Sequence, residues 1–561
     1  MSPQQKKPKE KPHSLQSVAR RELDIELDKE HQTANWGGEL SSAMLRYAAM
    51  DTQVLLPLVE IFESGLEGAE LKGTLELEHR ALPAMAWMVG AGCPFDATGW
   101  KEHLKDLQQR KNDLAEKVNE IAPERPEGEP WNWNSHVQIM EAFRLVGIEL
   151  PNTRQETLSL YDNHLARILL EYKKVSTTLS NHGPKLLEEV RADGRIYAGW
   201  RQIGAETGRM SCSKPGLQKL PVEVKKYVRA PEGRMLIKAD YSQIELRVAA
   251  KISGDQIMLE AYQKGEDLHL RTAQSLADAG VGKEDRKLAK AVNFGLLYGQ
   301  GAKGFKDYAR KEYEIDITLG EARQYKKRFF ETYPGLAAWH ERERQRMKRG
   351  ETETRTLAGR RRAGVVRFTE WVNAPVQGTG ADGLKLALAL LWERRAECPG
   401  AVPVACVHDE IVVECDEHEA EKVKAWLEKA MIDGMDEVLN GPGAEGPRVS
   451  VEVEVKRGRT WGYGLLWSPP ASKYVEEEEV ITNVCFEDAP VTIKVSIDYR
   501  DLSADSYPQI YACVECVEEY SKYVSEVDDL RPGEAARCEI CGKENAAARE
   551  LWEQGGGVSR L

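Results

Sequence analysis

The stretch Met235-Leu236-Ile237-Lys238-Ala239-Asp240-Tyr241-Ser242-Gln243-Ile244-Glu245-Leu246-Arg247 decides how the chain is read. A short apolar run ends in a carboxylate, and a helical pattern begins in the next turn. The expectation is a buried strand that carries Asp240 to its tip, with a helix springing from the turn behind it. A carboxylate on so rigid a platform suits a metal ligand or a catalytic acid. Ser242 and Glu245 also have the spacing of a helix capping box. Two readings of Glu245 therefore stand side by side: a cap, or a functional carboxylate.

Outward from this stretch, 561 residues are too many for one core, so several domains are expected. Apolar residues at 41% and charged residues at 30% are ordinary for a globular protein. No run of eighteen apolar residues offers a membrane span, and the basic start MSPQQKKPKEKPHS has no apolar stretch behind it, as a secretory signal requires. Ten cysteines, six of them scattered singly, suggest a reducing compartment rather than a disulfide framework, and a cytoplasmic location. The net charge of −13 is concentrated in the tail: Ser468 to Leu561 hold 9 Lys and Arg against 20 Asp and Glu. The acidity does not argue against a body that binds nucleic acid.

Downstream, Gly265-Glu266-Asp267-Leu268-His269 opens a helix, and a longer one follows from Glu284 to Gly299. On the second, Arg286, Lys290, Phe294 and Tyr298 recur every four residues and form one slowly drifting stripe. Two cations followed by two aromatics can hold a triphosphate at one end and stack on a base at the other; the bland alternative is a mixed surface stripe. Gly295 costs such a helix roughly 1 kcal/mol relative to Ala and points to a close approach. Tyr308 to Arg362 read as helical and basic. Asn373-Ala374-Pro375-Val376-Gln377-Gly378-Thr379 leads into an apolar helix through Leu391. Val402 to Cys415 has the pattern of a hairpin with Cys406-Val407-His408-Asp409-Glu410 at its tip, where Asp409 can converge with Asp240.

Upstream, Gly204 to Pro221 is a loop-like segment containing Arg209. Leu71 to Gly183 alternate long amphipathic stretches with polar breaks; Leu104, Leu107, Leu114 and Val118 share one side of a helix over Lys101 to Ile121. Ser41 to Glu63 read as one helix with Leu45, Ala48, Leu55 and Val59 at helical spacing, and Tyr47 and Asp51 on one face. Leu23 to Leu58 resembles the end of a proofreading 3′–5′ exonuclease domain, in which a Tyr-x-x-x-Asp pair contributes to the metal site. Asp24-Ile25-Glu26 copies another motif of that domain, but lies too close to Tyr47 and inside a helical pattern. The expectation is a relic without proofreading.

Taken together, five ordered motifs resemble the family A DNA polymerases, the group of bacterial DNA polymerase I and its phage relatives. They are Thr207-Gly208-Arg209, Asp240 to Arg247, Arg286-x-x-x-Lys290-x-x-x-Phe294-Gly295-x-x-Tyr298-Gly299, Asn373-x-x-x-Gln377-Gly378-Thr379 and His408-Asp409-Glu410. The resemblance covers about Leu71 to Trp467 and implies an α+β right-hand fold of palm, fingers and thumb. The implied division is an exonuclease remnant at 1–70, thumb and connection at 71–230, palm at 231–262 and 371–467, fingers at 263–370, and a tail at 468–561.

The implied chemistry is template-directed addition of deoxynucleotides to a primer 3′ end, in DNA replication or repair, by phosphoryl transfer at two Mg²⁺ about 4 Å apart. Asp240, Asp409, Glu410 and Lys290 would be catalytic, with Asp240, Asp409 and the Tyr241 carbonyl as oxygen ligands of the kind Mg²⁺ prefers. Arg286, Lys290, His269 and Gln243 would hold the triphosphate, Phe294 and Tyr298 would shape the base-pair site, and Glu245 would exclude the ribose 2′-hydroxyl. Arg209, Gln377, Asn373 and His408 would touch primer-template DNA. In this family Phe at the position of Phe294 goes with poor use of dideoxynucleotides. Gly216 stands where relatives often carry Asn.

Beyond Ser468-Pro469-Pro470 and the run Glu476 to Glu479, Cys513-x-x-Cys516 and Cys538-x-x-Cys541 suit a structural Zn²⁺ in a small ribbon-like module, with two disulfides as the alternative. The acidity of this tail favours a protein partner over duplex DNA. The remaining chain is expected to act as a monomer, and its compact form leans towards a phage. Two other classes compete with the leading reading: a single-subunit RNA polymerase-like enzyme, which Glu245 argues against, and a non-catalytic polymerase-like DNA-binding protein, which the intact aspartates and cations argue against.

Overall fold

The computed structural model describes residues 14–125, 128–276, 283–442, 444 and 446–461, and the backbone of three tail strands, Thr492–Ile497, Gln509–Cys513 and Val524–Asp528. At its centre is a four-stranded antiparallel sheet in the order Val453–Gly458, Arg234–Tyr241, Glu410–Asp416, Val402–Val407. Met235, Ile237, Ala239 and Tyr241 enter one core with the helices Phe368–Glu393 and Ala420–Asn440, while Leu236 enters a second with Ala97–Ile121 and His164–His182. Met235, Leu236 and Ile237 are buried in succession, one core on each face, so this part of the strand reads as an apolar run, before half-buried Lys238 and Asp240 alternate with buried Ala239 and Tyr241.

The helix Phe368–Glu393 is buried almost all round and lies between Lys72–Ala91 and Ala420–Asn440. Gly434 permits that packing: a Cβ there would stand 2.4 Å from the Ala387 nitrogen, so the two backbones meet directly. Five helices, Leu268–Leu276, Lys283–Leu297, Ala302–Tyr313, Leu319–Thr332 and Pro334–Lys348, form a lobe beside the sheet. The close approach expected at Gly295 is made by Phe305, whose Cδ2 lies 2.8 Å from where a Cβ would sit. Leu104, Leu107, Leu114 and Val118 are buried on one side of Ala97–Ile121, as their spacing requires.

Four local expectations are corrected. Tyr308 to Arg362 are not helical throughout: after Pro334–Lys348 the chain turns into a hairpin pairing Thr354–Arg355 with Arg361–Arg362. Ser41 to Glu63 form two helices, Ser42–Gln53 and Leu55–Gly68, because Pro57 has no N–H to continue the ladder across the junction. The buried side chains are accordingly Met44, Val54 and Leu58, whereas Leu45, Leu55 and Val59 are exposed. Asp24 is not inside a helix but caps the end of Leu15–Leu23 in the left-handed conformation. Finally, Ser242 and Glu245 form no capping box: the N-cap of Ile244–Ser253 is Gln243, itself left-handed with φ 53°, and it makes no side-chain cap bond. The tail strands pair antiparallel in the order Gln509–Cys513, Thr492–Ile497, Val524–Asp528. Among the described residues no helix is long and apolar enough to cross a membrane.

Candidate active site

Backbone pairing brings the two aspartates together. Asp240 is the penultimate residue of its strand and pairs with Glu410 across the ladder, while the Tyr241 N–H donates to the Asp409 carbonyl at 3.2 Å. His408 and Asp409 form the two-residue hairpin turn, and His408 takes the left-handed conformation that such a turn demands. Both carboxyls are half-buried. Burial, then the charge of Glu410, pushes the Asp240 carboxyl up to about 6. Burial, with Glu245 and Asp240 adding to it against Arg209, pushes Asp409 up to about 7. Two carboxyls of raised pKa, flanked by the carbonyl-bearing backbone of Tyr241, are an oxygen donor set whose charge Arg209 and Lys238 compensate only in part. A hard divalent cation fits that deficit.

Glu245 faces away from its own helix end. Its Oε1 takes Arg209 Nη2 at 2.6 Å, and its Oε2 accepts the Tyr298 hydroxyl. The same Arg209 nitrogen lies 3.5 Å from Asp409 Oδ1, while its Nε is buried without a partner. Arg209 thus bridges Glu245 and Asp409. The Thr207-Gly208-Arg209 loop is seated by close packing: a Cβ on Gly208 would meet Arg360, and one on Gly378 would meet Thr356 and the Thr207 carbonyl. Arg360 is in turn locked by Asp382 and Glu78, and Lys385 also reaches Glu78. These four buried charged groups escaped the sequence reading, because they come from three separate segments.

On the helical lobe, Arg286, Lys290 and Phe294 of the expected stripe lie on Lys283–Leu297 and Tyr298 in the turn that follows, and its members have different partners. Arg286 Nε and Nη2 both reach Asp267 Oδ2, at 3.1 and 2.6 Å. Asp267 also accepts Gln243 Nε2 at 3.1 Å and the N–H of His269 at 2.8 Å. Despite its burial, the two guanidinium bonds hold Asp267 below the usual carboxylate range. Lys290 is half-buried and has no ion pair among the described residues. His269 is 3% exposed, with its ring 5.6 Å from that of Phe294. Burial pushes its imidazole down to about 4, and Lys290 and Arg286 add to that against Asp267. Asp267 was not singled out from sequence, although its place just before a helix is an N-cap signal.

Glu410 is engaged elsewhere than the site centre: Oε1 accepts Trp461 Nε1 at 2.6 Å and Oε2 pairs with Lys238 at 2.7 Å. Lys225 lies over the Trp461 ring at 4.4 Å. Gln377 and Asn373 sit half-buried on Phe368–Glu393, with Asn373 Oδ1 buried and unpartnered, and His408 is exposed at the hairpin tip. In the N-terminal helices Asp51 is 3.4 Å from Lys29 Nζ, which also lies over the Tyr47 ring at 5.6 Å. Cys516, Cys538 and Cys541 lie outside the described residues, as does the side chain of Cys513.

Comparison with known proteins gives a consistent picture. The model of DNA polymerase family A matches residues 99–463, and that of a 3′-5′ exonuclease matches residues 2–67. DNA polymerase I of Aquifex aeolicus is 34% identical over 488 residues, covering 80% of this chain and 81% of that protein. The thermostable DNA polymerase I of Thermus aquaticus is 32% identical over 439 residues, covering 70% of this chain and 50% of that protein. The chain therefore spans most of the Aquifex relative and about half of the Thermus one. Among solved structures, the POL domain of Pol1 from M. smegmatis, in complex with DNA primer-template and dNTP, superposes with a TM-score of 0.67 at 26% identity, covering 80% of this chain and 79% of that one.

Proposed function

Because the chain belongs to DNA polymerase family A and is a template-directed DNA polymerase, we propose that Asp240 and Asp409, with the Tyr241 carbonyl, hold the divalent metal ions with which this family works. The observation that carries this reading is the cross-strand register that sets the Asp240 tip beside the Asp409 turn, with both carboxyls raised. Mg²⁺ held there supplies Lewis acidity to the primer 3′-hydroxyl and to the leaving pyrophosphate.

The protein's own groups do the rest. Lys290, Arg286, His269 and Gln243 grip the triphosphate as a point charge, a fork and two neutral hydrogen-bonding groups. In the nucleotide-free state Asp267 engages the fork, so binding exchanges a carboxylate for phosphate oxygens. Phe294 and Tyr298 shape the base-pair site. Glu245, pinned by Tyr298 and Arg209, forms a wall against the ribose 2′ position, and this supports the deoxynucleotide reading over an RNA polymerase. Arg209, Gln377, Asn373 and His408 would face the primer-template; Arg209 pairs with Glu245 and Asp409 through Nη2, and its unpartnered Nε is the donor for a minor-groove acceptor. Glu410 acts by holding Lys238 and Trp461 around the carboxylates rather than by touching substrate.

Residues 1–70 are an exonuclease remnant without proofreading, supported by the pairing of Asp51 with Lys29. The division into thumb and connection at 71–230, palm at 231–262 and 371–467, and fingers at 263–370 follows the same frame. The tail, 468–561, is read as a zinc-bearing module for a protein partner on an otherwise monomeric enzyme. Primer extension with dNTPs and then rNTPs, on DNA and RNA templates, tests the function: dNTP-dependent, template-coded extension is expected. Preferential rNTP extension would point to the RNA polymerase reading, and no extension to a binding protein. Release of nucleotides from labelled single-stranded DNA would overturn the absence of proofreading.

A further inference from the structure

A chain of buried polar groups ends on His269. Its Nδ1 lies 2.8 Å from Asn293 Nδ2; Thr272 Oγ1 lies 2.8 Å from each of Asn293 Oδ1, the Leu268 carbonyl and the Tyr333 hydroxyl, so Asn293 and Leu268 share the one Thr272 proton. Asn293, Thr272 and Tyr333 are fully buried. Asn293 interrupts an otherwise apolar position of its helix, between Val292 and Phe294. A buried amide is costly unless its donor and acceptor have partners, and here Nδ2 faces His269 and Oδ1 faces the Thr272 hydroxyl. The chain also ties Leu268–Leu276, which carries His269, to Lys283–Leu297, which carries Arg286 and Lys290.

An amide nitrogen only donates, so the ring nitrogen facing it must accept, and a neutral imidazole then has its single N–H on Nε2. We propose that Asn293 is a positioning residue that holds His269 as the neutral Nε2–H tautomer, so that the ring offers a donor rather than a lone pair to a phosphate oxygen of the incoming nucleotide. This rests on the reading that His269 lines the triphosphate pocket. The groups facing the imidazole are Asp267 on the turn before it and Arg286 and Lys290 on the neighbouring helix. The two cations and burial disfavour the imidazolium more than Asp267 favours it, so the donor is neutral throughout the working pH range. A ring left to choose its tautomer would spend part of its time presenting a lone pair to an anion.

The test uses the full chain, selectively labelled with ¹⁵N-histidine and free of nucleotide, with the His269 resonances assigned by comparison with His269→Gln. The expected spectrum has an unprotonated Nδ1 and a protonated Nε2, unchanged from pH 6 to 8. A protonated Nδ1 in the wild type would overturn the proposal, whatever the variants do. In Asn293→Asp the carboxylate should pull the proton to Nδ1 and make the KM for dNTP depend on pH between 6 and 8, where the wild type is flat; a flat profile with an unmoved tautomer would count against it. Asn293→Ala should raise KM about tenfold with little change in kcat, and add nothing to His269→Gln. If His269→Gln leaves KM unchanged while the wild-type tautomer is as expected, the pocket reading fails and the assignment to Asn293 stands.

Discussion

Asp240 and Asp409 meet through backbone pairing, whereas Arg286 on the helical lobe is held by a side chain, Asp267. One strand tip and one hairpin turn, locked by ladder hydrogen bonds within the central sheet, set the carboxylates. Arg286 and Gln243 instead converge on Asp267, a carboxylate whose partners would be free to exchange it for phosphate oxygens if a nucleotide bound. The contrast separates what must be rigid from what must yield. A metal site gains from preorganised ligands, while a triphosphate pocket needs its cations kept apart and soluble until the anion displaces their surrogate.

The comparison breaks if the rigid half proves dispensable. Asp409→Asn should lower the single-turnover extension rate at least about a thousandfold with primer-template affinity little changed; a loss within tenfold would mean that the carboxylate pair is not the reacting centre. Glu245→Ala removes the carboxylate held by Tyr298 and Arg209 and, on the proposed reading, should relax discrimination against ribonucleotides by about 10–100-fold in kcat/KM, with Tm changed by little. A drop in stability without ribonucleotide entry would return Glu245 to a structural role. Phe294→Tyr adds a hydroxyl beside the sugar and should improve dideoxynucleotide incorporation by about tenfold in a chain-termination assay; unchanged termination contradicts the placement of this ring.

The smallest effect concerns pH. The carboxyls of Asp240 and Asp409 have folded pKa values of about 6 and about 7 against an ordinary 3.8. The folded state therefore holds these protons more tightly than the unfolded one. The resulting stabilisation is full below the unfolded value and is lost as pH rises through about 7. In EDTA, Tm should fall between pH 5 and 8 by roughly 2 °C more in the wild type than in Asp409→Asn. Mg²⁺ should restore more of it at pH 8 than at pH 5. Parallel curves for the two proteins would mean that burial does not raise the Asp409 carboxyl.

The rigid half was also the legible half. An apolar run ending in Asp240, and a two-residue turn carrying Asp409 between two apolar runs, are local patterns, and the sheet register follows from them. Gly295 likewise announced a close approach, made by Phe305. The yielding half was only partly visible. The stripe of Arg286, Lys290, Phe294 and Tyr298 could be read at helical spacing, but Asp267, Asn293 and the Arg360 cluster act across separate segments. Glu245 shows the limit most clearly: its spacing from Ser242 satisfies a capping rule, yet Gln243 takes the cap and two partners distant in sequence claim the carboxylate. Local rules lose where a tertiary partner offers a charge-assisted bond. The face of the N-terminal helices was misjudged for a plainer reason, the break before Pro57.

The central claim is that the paired aspartates form a two-ion centre. Its most direct test is a Mn²⁺ titration followed by electron paramagnetic resonance, with the enzyme bound to a 3′-dideoxy-terminated primer-template and the matching dNTP. The account predicts two tightly bound ions per wild-type complex and fewer than two in Asp240→Asn or Asp409→Asn. Equal stoichiometry and affinity in all three proteins would contradict it.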